Sequence, residues 1–312
     1  MIVWLLTGLG LVILLLAGDA LVKGAVNLSL RVGIPALIVS LTIVSFGTSA
    51  PELVISIDAV LTGVPGIALG NVVGSHTANV LLVLGVPALI SGIETRRSDT
   101  KRSYVMMIAA SLWFIALCFW GPLYWVHGLL LLGVLVAIFV DQGRSARAEV
   151  KANGGGKVEG ADPTMRWWKI ILFLVLGLVG LPLGAQLLVD AAVNIATSFG
   201  VSETVIGLTL VALGTSLPEL ATTIVAAMRR HGEVALGNVI GSNLFNLLGI
   251  LGVASFFGQI PVAESFLRFD LWVMLAASAA LAPFVLLRIN LSRVVGAILT
   301  ALYLVYVLVV LT

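Results

Sequence analysis

Long apolar runs recur along this 312-residue chain, and they restrict its fold more than any other feature. Several approach the length of about 20 residues that a helix needs to cross a bilayer. Hydrophobic residues make up 60% of the chain and charged residues 10%, whereas soluble domains carry about 25% charged residues. A water-soluble globule is therefore excluded, and the sequence predicts an all-α membrane protein.

Hydropathy predicts ten transmembrane helices, and a polar stretch at 142–166 reads as a flexible linker between a first five-helix repeat (1–141) and a second (167–312). The opening apolar run is interpreted as the first span rather than a cleaved signal peptide, since no positive region precedes it. The ten spans are predicted at 1–22, 34–62, 66–92, 103–120, 123–141, 167–189, 201–228, 233–257, 268–288 and 293–311.

The basic residues predict the orientation of these spans. With ten spans, sixteen of the 17 lysines and arginines fall on one face of the membrane, and Arg268 is the exception. Because basic residues concentrate in cytoplasmic loops, we expect both termini outside and the central linker in the cytoplasm.

An internal repeat relates the two halves. Residues 41–52 read LTIVSFGTSAPE and residues 208–219 read LTLVALGTSLPE. A second pair of blocks, ALGNVVGSHTAN at 68–79 and ALGNVIGSNLFN at 235–246, has the same offset of 167. Since each copy holds an odd number of spans, the second must insert upside down. Inverted repeats are typical of secondary transporters, whose substrates bind near mid-membrane.

Each copy carries a proline and a glutamate in the middle of a predicted span. Pro51 and Pro218 cannot donate a helical hydrogen bond and clash with the carbonyl four residues back, so they predict breaks that free backbone carbonyls. Glu52 and Glu219 follow directly, where a charge costs at least about 2.5 kcal/mol. No basic residue lies mid-span to neutralise them. The carboxylates must therefore be protonated or balanced by a cation.

Further polar residues occupy matched positions. Thr48 and Ser49 share a helix face with Glu52 where the helix is intact, and hard cations such as calcium take six to eight oxygen ligands. Asn71 and Asn238 are expected to hydrogen-bond the broken helices. Additional hydroxyl and amide oxygens come from Ser75, Asn79, Ser242 and Asn246.

Other features receive structural interpretations. Gly237 and Gly241, like Gly70 and Gly74, predict close helix packing. Asp19 and Lys23 are four residues apart, which predicts an ion pair between them. His127 lies near a predicted membrane edge, where we expect it to be solvated.

The paired GTS-x-PE and GN-V-x-GS-x-x-x-N motifs resemble the alpha-repeats of the sodium/calcium exchanger family, in the cation/calcium antiporter superfamily. The likeness covers about 18–86 and 185–253, and the length and linker position are similar to those of prokaryotic members. The resemblance implies a core of spans two, three, seven and eight, screened by spans one and six.

The resemblance also implies the ion ligands. Glu52 and Glu219 would hold calcium together with the backbone carbonyls of Thr48 and Thr215. Asn79 and Asn246 would lie at the centre. The sodium sites would add Ser49, Ser216, Ser75 and Ser242, with carbonyls near Ser45 and Ala212. Some exchangers carry aspartate at the position of Asn246. Its absence here limits the site to a charge of −2, which suits one calcium ion and argues against a potassium requirement.

Together these features predict a secondary antiporter that exchanges sodium for calcium by alternating access, in the inner (plasma) membrane of a prokaryote. A proton/calcium exchanger using the same glutamates is the alternative, and a cation channel is a second. The spans show no nucleophile–base pair, histidine cluster or phosphate loop, so an enzyme is not expected. The expected partners are calcium, sodium and the lipid bilayer, with no cofactor, nucleic acid or obligate protein partner.

Overall fold

The computed structural model describes residues 2–96, 100–153, 162–199 and 212–311, and within these ranges the regular structure is helical apart from two isolated β-bridges. The first half holds α1 (Ile2–Val32), α2 (Ala36–Val39), α3 (Ser45–Thr48), α4 (Ala50–Leu61), α5 (Gly66–Ala78), α6 (Gly85–Ser91), α7 (Lys101–Phe119) and α8 (Trp125–Asn153). The second holds α9 (Trp167–Ser198), α10 (Ala212–Thr215), α11 (Leu217–Met228), α12 (Gly232–Leu244), α13 (Leu251–Ala254), α14 (Leu271–Ala280), α15 (Ala282–Leu286) and α16 (Arg293–Leu311).

Short π-helical turns join several of these helices into longer spans. Ser40–Val44 links α2 to α3, Asn79–Val83 links α5 to α6, and Phe245–Ile250 links α12 to α13. A fourth, Phe266–Asp270, leads into α14. The first three lie in the second, third and eighth predicted spans. Because π turns inside helices occur frequently at functional sites, they indicate a functional site in these spans.

The described residues contain 8 helices long and apolar enough to cross a membrane, or 9 spans if the bent pair Ala36–Thr48 and Ala50–Leu61 counts as one. This establishes a multi-span helical membrane protein. The predicted span 201–228 lies partly outside the described residues, and α11 forms its second part. The count of ten spans therefore stays a prediction.

The helix α8 runs on past the predicted end of its span at residue 141. It ends at Asn153, inside the stretch that the sequence analysis assigned to a flexible linker. Two contacts from Arg102 on α7, to Asp141 and to Ser145, lie along this extension. The polarity of this segment marks where the chain leaves the membrane, whereas helix propensity lets the helix continue into water.

The two spans that contain the repeated asparagines form the centre of the molecule. In the most apolar 18-residue window, 100% of the residues in Gly232–Ala254 and 72% of those in Gly66–Ser91 are buried. The corresponding shares in α1 and α9 are 33% and 28%. This burial identifies Gly66–Ser91 and Gly232–Ala254 as core spans and the long helices α1 and α9 as peripheral.

The helices α1 and α9 pack against each other along much of their length. Small residues permit this approach: a Cβ at Gly177 would lie 2.5 Å from Leu21 Cβ, and one at Gly10 would lie 2.9 Å from Leu188 N. Helix α1 also contacts α11 of the core. The peripheral pair therefore forms one packed unit that lies against the broken helices.

Candidate ion-binding site

The second and seventh predicted spans break at equivalent serines. Helix α3 ends at Thr48 and α4 begins at Ala50, with a bend of 45° between the two parts of that span. Ser49 has φ −87° and ψ 8°, and Ser216, between α10 and α11, has φ −88° and ψ 2°. Pro51 and Pro218 each follow in the first turn of the next helix. The predicted breaks are confirmed at both positions.

The two glutamates lie in the first turns of α4 and α11 and are both 0% exposed. The N-terminus of a helix carries partial positive charge, which favours a carboxylate there. Glu52 and Glu219 are near enough for their charges to repel each other. Among the described residues, neither oxygen of Glu52 has a hydrogen-bond partner, and Oε2 of Glu219 has none.

A hydrogen bond joins the broken helix of one half to the glutamate of the other. Ser49 Oγ donates to Glu219 Oε1 at 3.0 Å. Thr48 and Ser242 also lie within interaction reach of the Glu219 carboxylate, although Ser242 Oγ makes no hydrogen bond of ordinary geometry within the described part of the chain. Residues from the second and eighth predicted spans therefore surround the carboxylate of Glu219, which the seventh carries.

Several other buried oxygens around the broken helices lack partners. Within the described ranges, Ser216 Oγ, Asn79 Oδ1 and both polar side-chain atoms of Asn246 make no hydrogen bond. Leaving buried polar groups unpaired is costly, and native proteins do so rarely. The segments that begin at Asn79 and contain Asn246 contact the helices that carry Glu219 and Glu52. Carboxylate, hydroxyl and amide oxygens are the ligands that hard cations prefer.

Asn79 is held by a neighbour from the opposite half. Its Nδ2 donates to Asn243 Oδ1 at 3.1 Å, which leaves Asn79 Oδ1 as the atom without a partner. Asn243 takes the place that His76 has in the first repeat, and His76 instead lies 2.7 Å from Ser278 Oγ through its Nε2. This amide pair was not predicted, because Asn79 and Asn243 are not repeat mates and the repeat relates only equivalent positions.

Comparison with known proteins identifies the family. The sodium/calcium exchanger protein family matches residues 2–141 and 169–312 of the chain. This chain belongs to the sodium/calcium exchanger family. The sodium/calcium exchanger MaX1 of Methanosarcina acetivorans is 34% identical over 96% of this chain and 96% of its own length. The inner membrane protein YrbG of Escherichia coli is 34% identical over 82% of this chain and 81% of its own.

The fold agrees with that assignment. A structure of the sodium-calcium exchanger NCX_Mj superimposes with a TM-score of 0.84 at 30% identity, covering 98% of this chain and 97% of that one. The sodium/calcium exchanger family consists of transporters, so the chain is a membrane transporter and not an enzyme.

In this member of the exchanger family, two bracing asparagines hydrogen-bond the backbone of the broken helices. Asn71 Nδ2 donates to the Glu52 carbonyl at 3.2 Å, and Asn238 Nδ2 donates to the Glu219 carbonyl at 3.3 Å. The predicted role of these residues is confirmed. Each bond fixes the backbone of the residue whose carboxylate faces the site.

The sequence analysis missed the second partner of each bracing asparagine. Asn71 Nδ2 also donates to Ser56 Oγ at 3.0 Å, and Asn238 Nδ2 to Thr223 Oγ1 at 3.1 Å. Ser56 and Thr223 are repeat mates at the same offset of 167, each four residues after its glutamate. A search for hydroxyl residues shared by both copies would have found them.

The serine that precedes the first break has an occupied carbonyl. Ser45 O accepts from Ser49 N at 3.0 Å and from Thr48 Oγ1 at 3.3 Å. The Ser45 hydroxyl donates to Ser40 O at 2.7 Å and lies 3.0 Å from Asn238 O. A sodium ligand at this carbonyl would have to replace one of these donors. Ala212 begins α10 and Thr215 ends it, so both lie on the segment before the second break.

Two glycines let α12 approach the second span. A Cβ at Gly241 would lie 2.3 Å from Ser45 Oγ and 2.5 Å from Leu41 O, and one at Gly237 would lie 3.0 Å from Leu37 O. Their predicted packing role is confirmed. For Gly70 and Gly74 the repeat offset of 167 places the equivalent neighbours at 204–212, mostly outside the described residues. Among the described residues, a Cβ at Gly70 would lie 3.8 Å from the Phe266 ring, and one at Gly74 would have no neighbour within 4 Å.

Two expectations for peripheral residues were wrong. Asp19 pairs with Arg229 after the end of α11, not with Lys23. The ammonium of Lys23 instead lies 4.7 Å from the centre of the Phe173 ring. His127 is buried rather than solvated, and its Nδ1 accepts from Tyr124 N at 3.3 Å. Helical spacing predicts contacts only between residues of the same helix. The partner of Asp19 comes from another segment through packing, and the partner of His127 comes from the turn before α8.

Proposed function

We propose that this chain exchanges sodium for calcium across the membrane at one shared site centred on Glu52 and Glu219. The observation that carries the proposal is the pair of fully buried, interacting carboxylates, one from each half, on helices packed against segments that carry buried oxygens without partners in the described residues. Calcium would neutralise both carboxylates and satisfy those oxygens. The relatives MaX1 and NCX_Mj are themselves named as sodium/calcium exchangers.

The proposed ligands fall into two groups. The carboxylates and the backbone carbonyls at Thr48 and Thr215 would hold calcium, because each carbonyl belongs to the last residue of a helix that ends at a break. Sodium would use the same carboxylates with hydroxyl and amide oxygens. This second group comprises Ser49, Ser75, Ser216, Ser242, Asn79, Asn246 and the carbonyls near Ser45 and Ala212.

Shared ligands would make the exchange obligatory. One calcium ion balances a site charge of −2, and several sodium ions need the same carboxylates, so the two cargoes exclude each other. An empty site would leave two ionised groups facing each other in a low-dielectric interior, which is costly. Closure around an occupied site is therefore favoured over closure around an empty one.

We infer that α1 and α9 move together against the core to alternate access. The two helices pack on each other and lie outside the buried central spans. The proposal includes ten spans arranged as two inverted repeats of five, 1–141 and 167–312, joined by the segment 142–166. Matched breaks at Ser49 and Ser216 and matched braces at Asn71 and Asn238 support a common origin of the halves.

The orientation is part of the same proposal. The concentration of basic residues on one face predicts that the linker is cytoplasmic and both termini are outside, in a prokaryotic inner membrane. Four basic residues from three segments, Lys23, Arg166, Lys169 and Arg229, line a single cavity. Their common location supports the prediction that these segments share one side.

Sodium-gradient-driven uptake of radioactive calcium into proteoliposomes tests the proposal. Wild-type protein should accumulate calcium when sodium is inside and not outside, and Glu52→Gln and Glu219→Gln should each abolish uptake. Arg268→Gln is a matched surface control, since Arg268 pairs with the exposed Glu264. Uptake that persists in either glutamate variant would refute the assigned roles.

Proton/calcium exchange is the alternative that the site also suits. Both Glu52 oxygens are buried without a partner in the described residues, and a proton would neutralise such a carboxylate. Calcium uptake driven by a pH gradient in sodium-free vesicles would favour this function. Calcium-dependent current without countertransport would instead indicate a channel.

A further inference from the structure

A basic cavity has a lining that includes none of the proposed ion ligands. It has a volume of about 630 Å³ and is bounded by α1, the start of α9, the residues just before α9 and those just after α11. Its cationic lining residues are Lys23, Arg166, Lys169 and Arg229. Such a volume is typical of a site for a small ligand.

The wall of this cavity is fixed by hydrogen bonds to α1. Asp162 N donates to Asn27 Oδ1 at 2.8 Å, and Arg31 Nη2 donates to Met165 O at 2.8 Å. These bonds anchor the segment before α9 on the first helix. The cavity is therefore held together by bonds between elements.

One carboxylate lies near two of these four cations. Asp162 lies near Lys23 and Lys169, and hydrogen bonds from the Thr164 side chain and backbone hold the pKa of Asp162 below its usual range. Thr164 Oγ1 donates to Asp162 Oδ1 at 2.6 Å and Thr164 N at 2.9 Å. Arg229 has its own partner in Asp19. Among the described residues that line the cavity, positive charge from Lys23, Arg166 and Lys169 is therefore left in excess, which favours an anion.

The cavity has an apolar side as well as a charged one. Val22, Val26 and Phe173 belong to the spans α1 and α9 and line it together with Trp168. Trp167 and Trp168 are exposed at the start of α9, and tryptophan is enriched where membrane meets water. A ligand here would meet cations at its polar end and membrane-spanning side chains beside them.

We propose that this cavity binds the phosphate group of an anionic phospholipid, with the acyl chains leaving along the α1–α9 side. Basic pockets between transmembrane helices suit such headgroups. A free phosphate ion would satisfy the cations but gain nothing from the accessible rings of Trp168 and Phe173. The apolar wall therefore favours the lipid as the source of the phosphate.

Lipid binding to the purified full chain in neutral detergent tests this site without any transport measurement. Native mass spectrometry would titrate phosphatidylglycerol, phosphatidylcholine and inorganic phosphate against the wild type. The pocket variant Lys23→Gln/Arg166→Gln/Lys169→Gln removes three charges. The control variant Arg96→Gln/Lys101→Gln/Arg144→Gln removes three exposed charges outside this cavity.

We expect the pocket variant to lose phosphatidylglycerol affinity by roughly tenfold or more, and the control to keep it within about twofold. Equal loss in both variants would show non-specific attraction and overturn the site. Equal affinity for phosphatidylcholine would do the same. Saturation by inorganic phosphate as tightly as by lipid would contradict the lipid source. If the triple variant fails to fold, Lys169→Gln alone, at an exposed position, should still weaken binding.

Discussion

Ser49 Oγ donates a 3.0 Å hydrogen bond to Oε1 of Glu219, and so joins the break in one half of the chain to the carboxylate of the other. The two residues are 170 positions apart in the sequence. Both are buried. Through this contact, the second span helps to set where the carboxylate of the seventh can point.

Removal of that donor should weaken calcium binding. In Ser49→Ala, Glu219 Oε1 loses its hydrogen bond, and bonds to charged groups contribute about 1.5–3 kcal/mol. We expect the calcium concentration for half-maximal uptake to rise by roughly tenfold, with the folded protein retained. Ser198→Ala serves as the control, because Ser198 is exposed and its hydroxyl donates within its own helix to Ile195 O at 2.6 Å. An unchanged half-maximal concentration in Ser49→Ala would contradict this interpretation.

The bracing asparagine of the second half should contribute measurably to stability. Asn238→Ala removes bonds to Glu219 O and Thr223 Oγ1 in a fully buried setting. Leaving those groups unsatisfied costs about 1–3 kcal/mol. We expect a lower midpoint of thermal unfolding in detergent, measured by fluorescence, together with weaker calcium uptake.

The control for this brace is Asn194→Ala. Asn194 is exposed and donates within its own helix to Asp190 O at 2.7 Å. Its loss should leave both stability and uptake near the wild-type level. Equal destabilisation by the two asparagine variants would rule out a special role for the brace.

Close packing at Gly241 should tolerate no added methyl group. A Cβ there would lie 2.5 Å from the Leu41 carbonyl oxygen, which is backbone and cannot easily move. Overpacking of this kind costs about 1–3 kcal/mol. Gly241→Ala should therefore lower the unfolding midpoint, whereas Gly133→Ala, where nothing described lies within 4 Å, should not. A Gly241→Ala protein as stable as wild type would contradict the observed helix approach.

The ion pair between Asp19 and Arg229 crosses from the peripheral helix α1 to the end of the core helix α11. Both side chains are more than a third exposed, so the pair should contribute at most about 1 kcal/mol. If α1 moves against the core, this pair favours one of the two arrangements. Asp19→Asn should therefore change the maximal rate of exchange by up to about fivefold and leave the half-maximal calcium concentration unchanged.

A charge swap provides the control for that prediction. Asp19→Arg combined with Arg229→Asp restores an opposite pair and should bring the rate back toward wild type. A shift in calcium affinity without a change in rate would contradict the role of this contact in conformational change.

The broken helices could be predicted because their causes are local. Pro51 and Pro218 cannot donate a helical bond, and the chain breaks at the serine two residues before each one. The buried glutamates were predictable because a charge in an apolar span is costly and must have a role. Repetition of both features strengthened each inference.

Contacts between distant segments were harder to predict. Helical spacing suggested Lys23 as the partner of Asp19, but Arg229 lies 210 residues away and reaches it through packing. The bond from Asn79 to Asn243 crosses between the halves, and no periodicity in the sequence reports it. The hydroxyls of Ser56 and Thr223 carry no charge, so burial alone did not mark them for attention.

Equilibrium calcium binding to purified protein tests the central claim most directly, because it asks whether the two glutamates form one site. We expect the wild type to bind one calcium ion per chain, displaced by sodium, and Glu52→Gln and Glu219→Gln each to lose that binding. The double variant should bind no more weakly than either single one. Retention of wild-type affinity in one single variant, or two independent calcium sites, would contradict it.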